Sequence, residues 1–147
     1  MKIIAAVIDK ERFKKQYADP MNCYKLACEF VLERTFLMTG GDVSFVFESR
    51  GRTEDKDVET WCRSISEGAN ATGKAFDCDV RFAKKSWNVA GLQMADLSCQ
   101  PIIHYVQDRD TKRPDWIAVR AKLRENRNTG NFMGYGLKVF PSMPPKS

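Results

Sequence analysis

Histidine occurs once, at His104, so a zinc cluster built on several imidazoles is excluded from the outset. The five cysteines (Cys23, Cys28, Cys62, Cys78 and Cys99) include no Cys-x-x-Cys pair, which removes the usual spacing of a structural zinc site. An odd number of thiols, mostly on apolar faces, reads as reduced core cysteines of a cytoplasmic protein. No apolar run approaches the roughly 20 residues of a membrane helix. Met1 to Ile8 has only Lys2 before its apolar stretch and no small-residue cleavage site, so it does not read as a signal peptide. Prolines are few, and neither a linker nor an internal repeat is visible. With 43% hydrophobic and 29% charged residues in 147, disorder and fibrous structure are excluded and one core is expected.

The formal net charge is +5, and an equal excess lies late in the chain. From Gln107 to Ser147 there are nine Lys/Arg against four Asp/Glu, a net +5. Such an excess fits a polyanionic partner such as nucleic acid, and it fits a solvated surface nearly as well.

Ile3 to Ile8 is a continuous apolar run ending at Asp9, the pattern of a strand covered on both faces. Asp19 and Pro20 read as the capped start of a helix that runs to Met38 and ends at Gly40 and Gly41. Tyr24, Ala27, Cys28 and Val31 share one face of it, with Leu26 and Phe30 beside them, so the helix is expected to be largely buried. Val43 to Phe47 is a second strand that stops at Glu48; Thr53 is the expected cap of the helix after it. In that helix Val58, Trp61, Cys62 and Ile65 follow the spacing of one amphipathic face. Phe76, Cys78, Val80 and Phe82 alternate with polar residues, a half-buried strand. A further helix is expected from near Asn88 past Tyr105, bent at Pro101, with Leu92, Ala95, Cys99, Ile102 and Ile103 as its core face. A short helix follows Pro114, then a glycine-rich loop and a strand from Leu137 to Phe140, with a loose tail from Pro141 to Ser147. Alternating strands and helices make an α/β fold, whose chemistry gathers at the C-terminal ends of strands.

Two carboxylates stand out. Glu48 ends a strand otherwise made of Phe45, Val46 and Phe47, where a charge must reach solvent or be paired. Asp96 lies in an otherwise apolar helical segment, Gly91-Leu-Gln-Met-Ala-Asp-Leu97, on a polar stripe with Gln93 and Gln100. Two such acids facing each other could hold Mg²⁺ or Mn²⁺, which favour hard oxygen ligands. The plainer alternatives are a strand-end acid facing water and a helix Asp at the surface or paired with Arg50. Other residues carry weaker signals. His104 has no serine motif beside it. Asp9 reads as a strand-end turn. The glycines near Gly134 lack the Lys-Ser/Thr of a phosphate loop. Lys84, Lys85 and Trp87 could touch a nucleic-acid backbone and stack a base, or form an ordinary solvated loop.

Leu92-Gln-Met-Ala-Asp-Leu97, followed by Pro101 and His104, resembles the C-terminal signature of the bacterial and phage family known as domain of unknown function 3800. Ala6-Val-Ile-Asp-Lys10, Tyr24, Phe47-Glu-Ser-Arg-Gly51 and Gly134-Tyr-Gly-Leu-Lys-Val-Phe140 match the family in order, so the resemblance covers nearly the whole chain. It implies an RNase H-like fold related to RuvC-type nucleases, with an acidic Mg²⁺ or Mn²⁺ site. By motif, Glu48 would be the strand acid and Asp96 the helix acid, with Gln93 and Arg50 in support. Family members begin with a strand bearing an Asp-Glu-Ser-Gly-like motif, whereas here Met1 falls just before what would be the third strand. The implied architecture is therefore an N-terminally truncated RNase H-like domain over residues 1–140, with a partial mixed sheet flanked by helices.

Two-metal hydrolysis needs ions about 3.5–4 Å apart held by several carboxylates, so Glu48 and Asp96 alone would be too few. The expected function is that of a metal-dependent phosphodiester hydrolase, inactive as this isolated chain. The competing expectation is a non-catalytic remnant or interaction module that binds a partner chain or nucleic acid. A third is a start codon placed inside a longer gene.

Overall fold

The computed structural model describes residues 1–16 and 23–143. It is a mixed α/β protein with the elements β1 (Ala5–Ile8), α1 (Lys10–Gln16), α2 (Cys23–Thr39), β2 (Val43–Glu48), α3 (Arg52–Ser66), β3 (Cys78–Ala83), a 3₁₀ turn (Lys85–Trp87), α4 (Ala90–Asp108), α5 (Pro114–Arg120) and β4 (Leu137–Phe140). The residues gather into two compact units. One is continuous, Tyr24–Gln93; the other is split, Met1–Cys23 with Met94–Ser147. Instead of the expected single mixed sheet there are two separate two-stranded parallel sheets, β2 with β3 and β1 with β4.

The continuous unit follows from two periodicities. β2 and β3 pair in register from Val43↔Cys78 to Glu48↔Ala83. Their alternating residues put Val43, Phe45, Phe47, Cys78, Val80 and Phe82 against the core. Parallel neighbours need a crossover, and α3 supplies it. α3 buries Val58, Cys62 and Ile65, at i, i+4 and i+7; α2 buries Cys28, Leu32 and Phe36, at i, i+4 and i+8. Phe36 is completely buried, stacked on Phe76 at 4.4 Å and edge-on to Phe45 at 5.9 Å. Each such buried aromatic contributes about 1.5–3 kcal/mol from lost apolar hydration. The opposite face of the sheet, with Ser44, Val46, Glu48, Asp79 and Arg81, stays exposed.

Two readings of this unit change. α2 is less buried than its apolar content implied, since Leu37, Met38 and Tyr24 keep 47%, 39% and 36% of their surface. Its expected start, Asp19 and Pro20, lies outside the described residues. α3 is not capped by Thr53: Gly51 occupies the cap position, and Asp55 in the first turn does the polar work. One Asp55 carboxylate oxygen accepts from the Ser49 hydroxyl at 2.5 Å, the other from the Arg50 N–H at 2.9 Å.

The split unit is built around the parallel pair β1–β4, from Ala5↔Leu137 to Ile8↔Phe140. Its core joins Ile102 and Val106 of α4, Trp116 and Val119 of α5, and Leu123, Leu137 and Val139. Asp9 closes β1 and caps α1, its side chain accepting from the Arg12 N–H at 3.0 Å. No sequence pattern announces this helix, because seven residues with Phe13 buried are too few to display a period. Residues 141–143 are not loose. The Arg12 guanidinium donates to the Ser142 carbonyl at 2.8 Å and hydroxyl at 3.1 Å, and Met143 packs on the core. The rest of the expected tail lies outside the described residues.

The core face of α4 also differs from the expected one. Ser98, Pro101, Ile102 and Val106 are buried, whereas Ala95, Cys99 and Ile103 are exposed and Leu92 only half-buried. The buried set follows i, i+3, i+4 and i+8. That rotates the helix away from the stripe chosen by hydropathy alone, because a small serine and a proline fit where the core is tight. Leu97, 71% exposed, and Met94, 43% exposed, face solvent.

Candidate functional site

Parallel strands place their C-terminal ends together, and Glu48 is the final residue of β2, opposite Ala83. Alternation puts it on the exposed face with Ser44 and Val46. The chain then turns at once, with the Ser49 N–H bonded to the Ala83 carbonyl at 2.9 Å and Asp55 tying Ser49 and Arg50 to α3. Glu48 thus sits at the root of a rigid strand-to-helix junction.

Arg50 is held beside it in sequence but is engaged elsewhere. Its guanidinium lies over the Tyr24 ring, 5.0 Å from the centroid, and Tyr24 in turn meets Trp61 edge-on at 6.1 Å. Burial pushes the Tyr24 hydroxyl and the Cys28 thiol up, and the nearby Arg50 charge opposes both shifts. Gln93, in the first turn of α4, donates to the Asn88 side-chain carbonyl at 3.4 Å. Asn88 has a left-handed backbone, φ 50°, which turns the chain from the 3₁₀ segment toward α4.

Asp96 is exposed on α4, on the same stripe as the exposed Gln93 and Gln100, as the spacing implied. Its negative charge is felt by Cys99, whose thiol is pushed up first by burial and then by Asp96. The ion pairs among the described residues are Arg63–Glu59, Arg81–Asp79, Arg113–Asp115 and Arg120–Glu125. Glu48 and Asp96 take part in none of these. Glu48, Arg50 and Gln93 belong to the continuous unit and Asp96 to the split one. Among the described residues there is no group of three or more His, Cys, Asp or Glu placed to hold a metal.

The remaining candidates resolve into local roles. Asp9 caps α1. His104 is half-buried, and its Nδ1 is a buried atom without a hydrogen-bond partner. Lys84, Lys85 and Trp87 are exposed around the 3₁₀ turn, Trp87 to 62%. The cysteines are all free, and Cys28 and Cys62 are buried as expected. Burial and the neighbouring Cys78 and Cys28 push the Cys62 thiol up to about 12. Cys99, expected on a core face, is exposed instead.

An aromatic cluster in the split unit went unnoticed in the sequence. Tyr105 of α4 stacks flat on Trp116 of α5, ring centroids 3.8 Å apart, and Phe132 stands 6.0 Å from both. The signal was present as three aromatics within and just before the basic late segment, but their spacing follows no single element.

Comparison of the chain with protein-family models, with curated proteins and with solved structures finds no match. Among the described residues, no helix is long and apolar enough to cross a membrane.

Proposed function

We propose that this chain carries part of a divalent-metal site for phosphodiester hydrolysis, with Glu48 and Asp96 as its metal-binding carboxylates, on a partial RNase H-like scaffold. The observation that carries the reading is that both acids are exposed and outside every ion pair named above, one at a parallel strand's C-terminal end and one on a polar helix stripe beside Gln93. An acid left free of counter-charge at such a strand end is available to a cation. The donor chemistry fits Mg²⁺ or Mn²⁺, which take carboxylate oxygens and complete their shells with water. When bound, such an ion would lower the pKa of a coordinated water and polarise a phosphoryl oxygen. Gln93, as an amide donor, and Arg50, if released from Tyr24, would orient a phosphate.

Two carboxylates do not make a two-metal centre, so the 147-residue chain is expected to bind metal without sustained turnover. Further acids would have to come from another polypeptide segment. Each of the two sheets has only two strands, and a two-stranded sheet can take a further strand from another segment at an outer edge. Leu97 and Met94, exposed in α4, favour the second reading, a non-catalytic module that binds a partner chain.

Mn²⁺ binding, followed by the loss of its free-ion electron paramagnetic signal, tests the assignment on the purified chain and on Glu48→Gln and Asp96→Asn. Mn²⁺ binding is expected, weakened at least about tenfold by each variant, since each removes a charged ligand. Unaltered Mn²⁺ affinity in both variants rejects the metal centre. A Mn²⁺-dependent nuclease activity that persists unchanged in both rejects it too.

A further inference from the structure

The geometry points to a second site, an aromatic pocket in the split unit that accepts one unpaired base of a single-stranded nucleic acid. A cavity of about 400 Å³ opens between the C-terminal half of α4, α5 and the loop at Phe132. That is within the range of pockets that take small ligands or single groups of larger ones. Tyr105, Trp116 and Phe132 form its aromatic wall, Ile117 and Thr111 contribute to its lining, and Arg120 closes one side.

The wall is set before any ligand arrives. Trp116 is 2% exposed, and its ring is parallel to that of Tyr105 to within 2°. Phe132 is inclined to both rings by about 60° and is covered by the Arg120 guanidinium at 4.3 Å. Rings already fixed by one another lose little freedom on binding, so a flat guest gains stacking at low ordering cost. Ile117 is the exception: an apolar side chain left 54% exposed on the lining, where a guest would cover it.

Charge identifies the guest. From Tyr105 to Phe132, the stretch that supplies the whole lining, there are seven Lys/Arg and four acids. Two of the acids are matched, Asp115 by Arg113 at 2.9 Å and Glu125 by Arg120, and Asp108 and Asp110 lie exposed ahead of Thr111. Lys112, Lys122 and Arg127 are exposed in the same segment. An apolar, ring-lined hollow within a cationic stretch matches a nucleotide, with the base inside and phosphates along the rim. A neutral aromatic compound would leave the cations without a role. A duplex keeps its bases stacked and offers none to the hollow, so the complementary polymer is single-stranded. If the proposed metal centre is correct, the pocket names its substrate class; binding here does not otherwise depend on that reading.

The test is fluorescence anisotropy of the full chain with a labelled thymidine oligonucleotide of about twelve nucleotides, within the usual site sizes for single strands. EDTA is present throughout, so neither Glu48 nor Asp96 bears on the result. Saturable binding is expected. It should weaken at least about fivefold for an abasic oligonucleotide of equal length, the lower end of what one stacked base contributes. Ile117→Glu, at an exposed position, should weaken the normal oligonucleotide at least as much with an unchanged circular dichroism spectrum. Equal affinity for the normal and abasic strands overturns the proposal, as does tighter binding of a duplex. So does saturable uptake of free adenosine without any oligonucleotide binding. Binding in EDTA alongside unaltered Mn²⁺ affinity in Glu48→Gln and Asp96→Asn would reject the metal centre and leave the pocket standing. The opposite pair of results rejects the pocket alone.

Discussion

Replacing Gly136 with alanine should destabilise the split unit more than any surface change. A Cβ at this position would lie 2.6 Å from the Arg124 backbone nitrogen and 3.1 Å from its carbonyl carbon, with the carbonyl oxygen closer still. None of these atoms can swing aside as a flexible side chain would. The Arg124 N–H is bonded to the Ile3 carbonyl at 2.9 Å, and the Gly136 carbonyl accepts from the Ala5 N–H at 2.7 Å. Opening the contact to an ordinary 3.4 Å therefore moves backbone on both sides and stretches both bonds. Overpacking against a rigid neighbour costs about 1–3 kcal/mol, and two weakened hydrogen bonds add about 1 kcal/mol each, a total of about 3–5 kcal/mol. With a urea dependence of about 2 kcal/mol per molar, the midpoint should fall by about 2 M. Urea titrations followed by circular dichroism at 222 nm measure it, with Gly91→Ala as the matched control. Gly91 is an exposed residue of α4 whose added Cβ meets nothing within 4 Å, so that variant should be neutral or stabilising by up to about 1 kcal/mol. A Gly136→Ala midpoint within experimental error of the parent would refute the close approach of the two backbones.

Three further outcomes follow from the titrating groups. The Asp55 carboxyl is held below its ordinary value of 3.8 by the Ser49 hydroxyl and then by the Arg50 N–H. Its contribution is therefore present above the unfolded value and lost as pH falls through the lower folded one. Asp55→Asn should flatten the decline of the urea midpoint below about pH 4, and an identical acid limb in both proteins would exclude the role. Alkylation of the native protein, mapped by mass spectrometry, should reach exposed Cys99 first and buried Cys62, pushed up to about 12, only on unfolding. Because Asp96 helps to raise the Cys99 thiol, Asp96→Asn should speed its alkylation near pH 8; an unchanged rate would place Asp96 away from Cys99.

What could be read in advance was local. The strands at β1, β2, β3 and β4 and the helices α3, α4 and α5 each carry their own periodicity or punctuation, and each formed close to where that pattern placed it. Pairing was another matter. Nothing in Ala5–Ile8 states that Leu137–Phe140 lies beside it, and nothing in β2 or β3 says that the two sheets stay separate. The face of α4 was not legible because hydropathy favours Ala95, Cys99 and Ile103, while packing selects Ser98 and Pro101 beside Ile102 and Val106. Glu48 and Asp96 were legible as strand-end and helix acids, since both properties are set by neighbours along the chain. The meeting of Tyr105, Trp116 and Phe132 was not, because it depends on how α4, α5 and a loop fold back on one another.

The split unit closes only when residues far apart in order of synthesis meet; Arg12 and Ser142, bonded to each other, are 130 positions apart. A ribosome therefore delivers the whole Tyr24–Gln93 unit before β1 has its neighbour. Until Leu137–Phe140 emerges, Ala5–Ile8 waits as an apolar strand with no ladder to join, the state in which nascent chains are most exposed to chaperones and to each other. A truncated message that ends before Leu137 would leave Ala5–Ile8 without its partner strand for good.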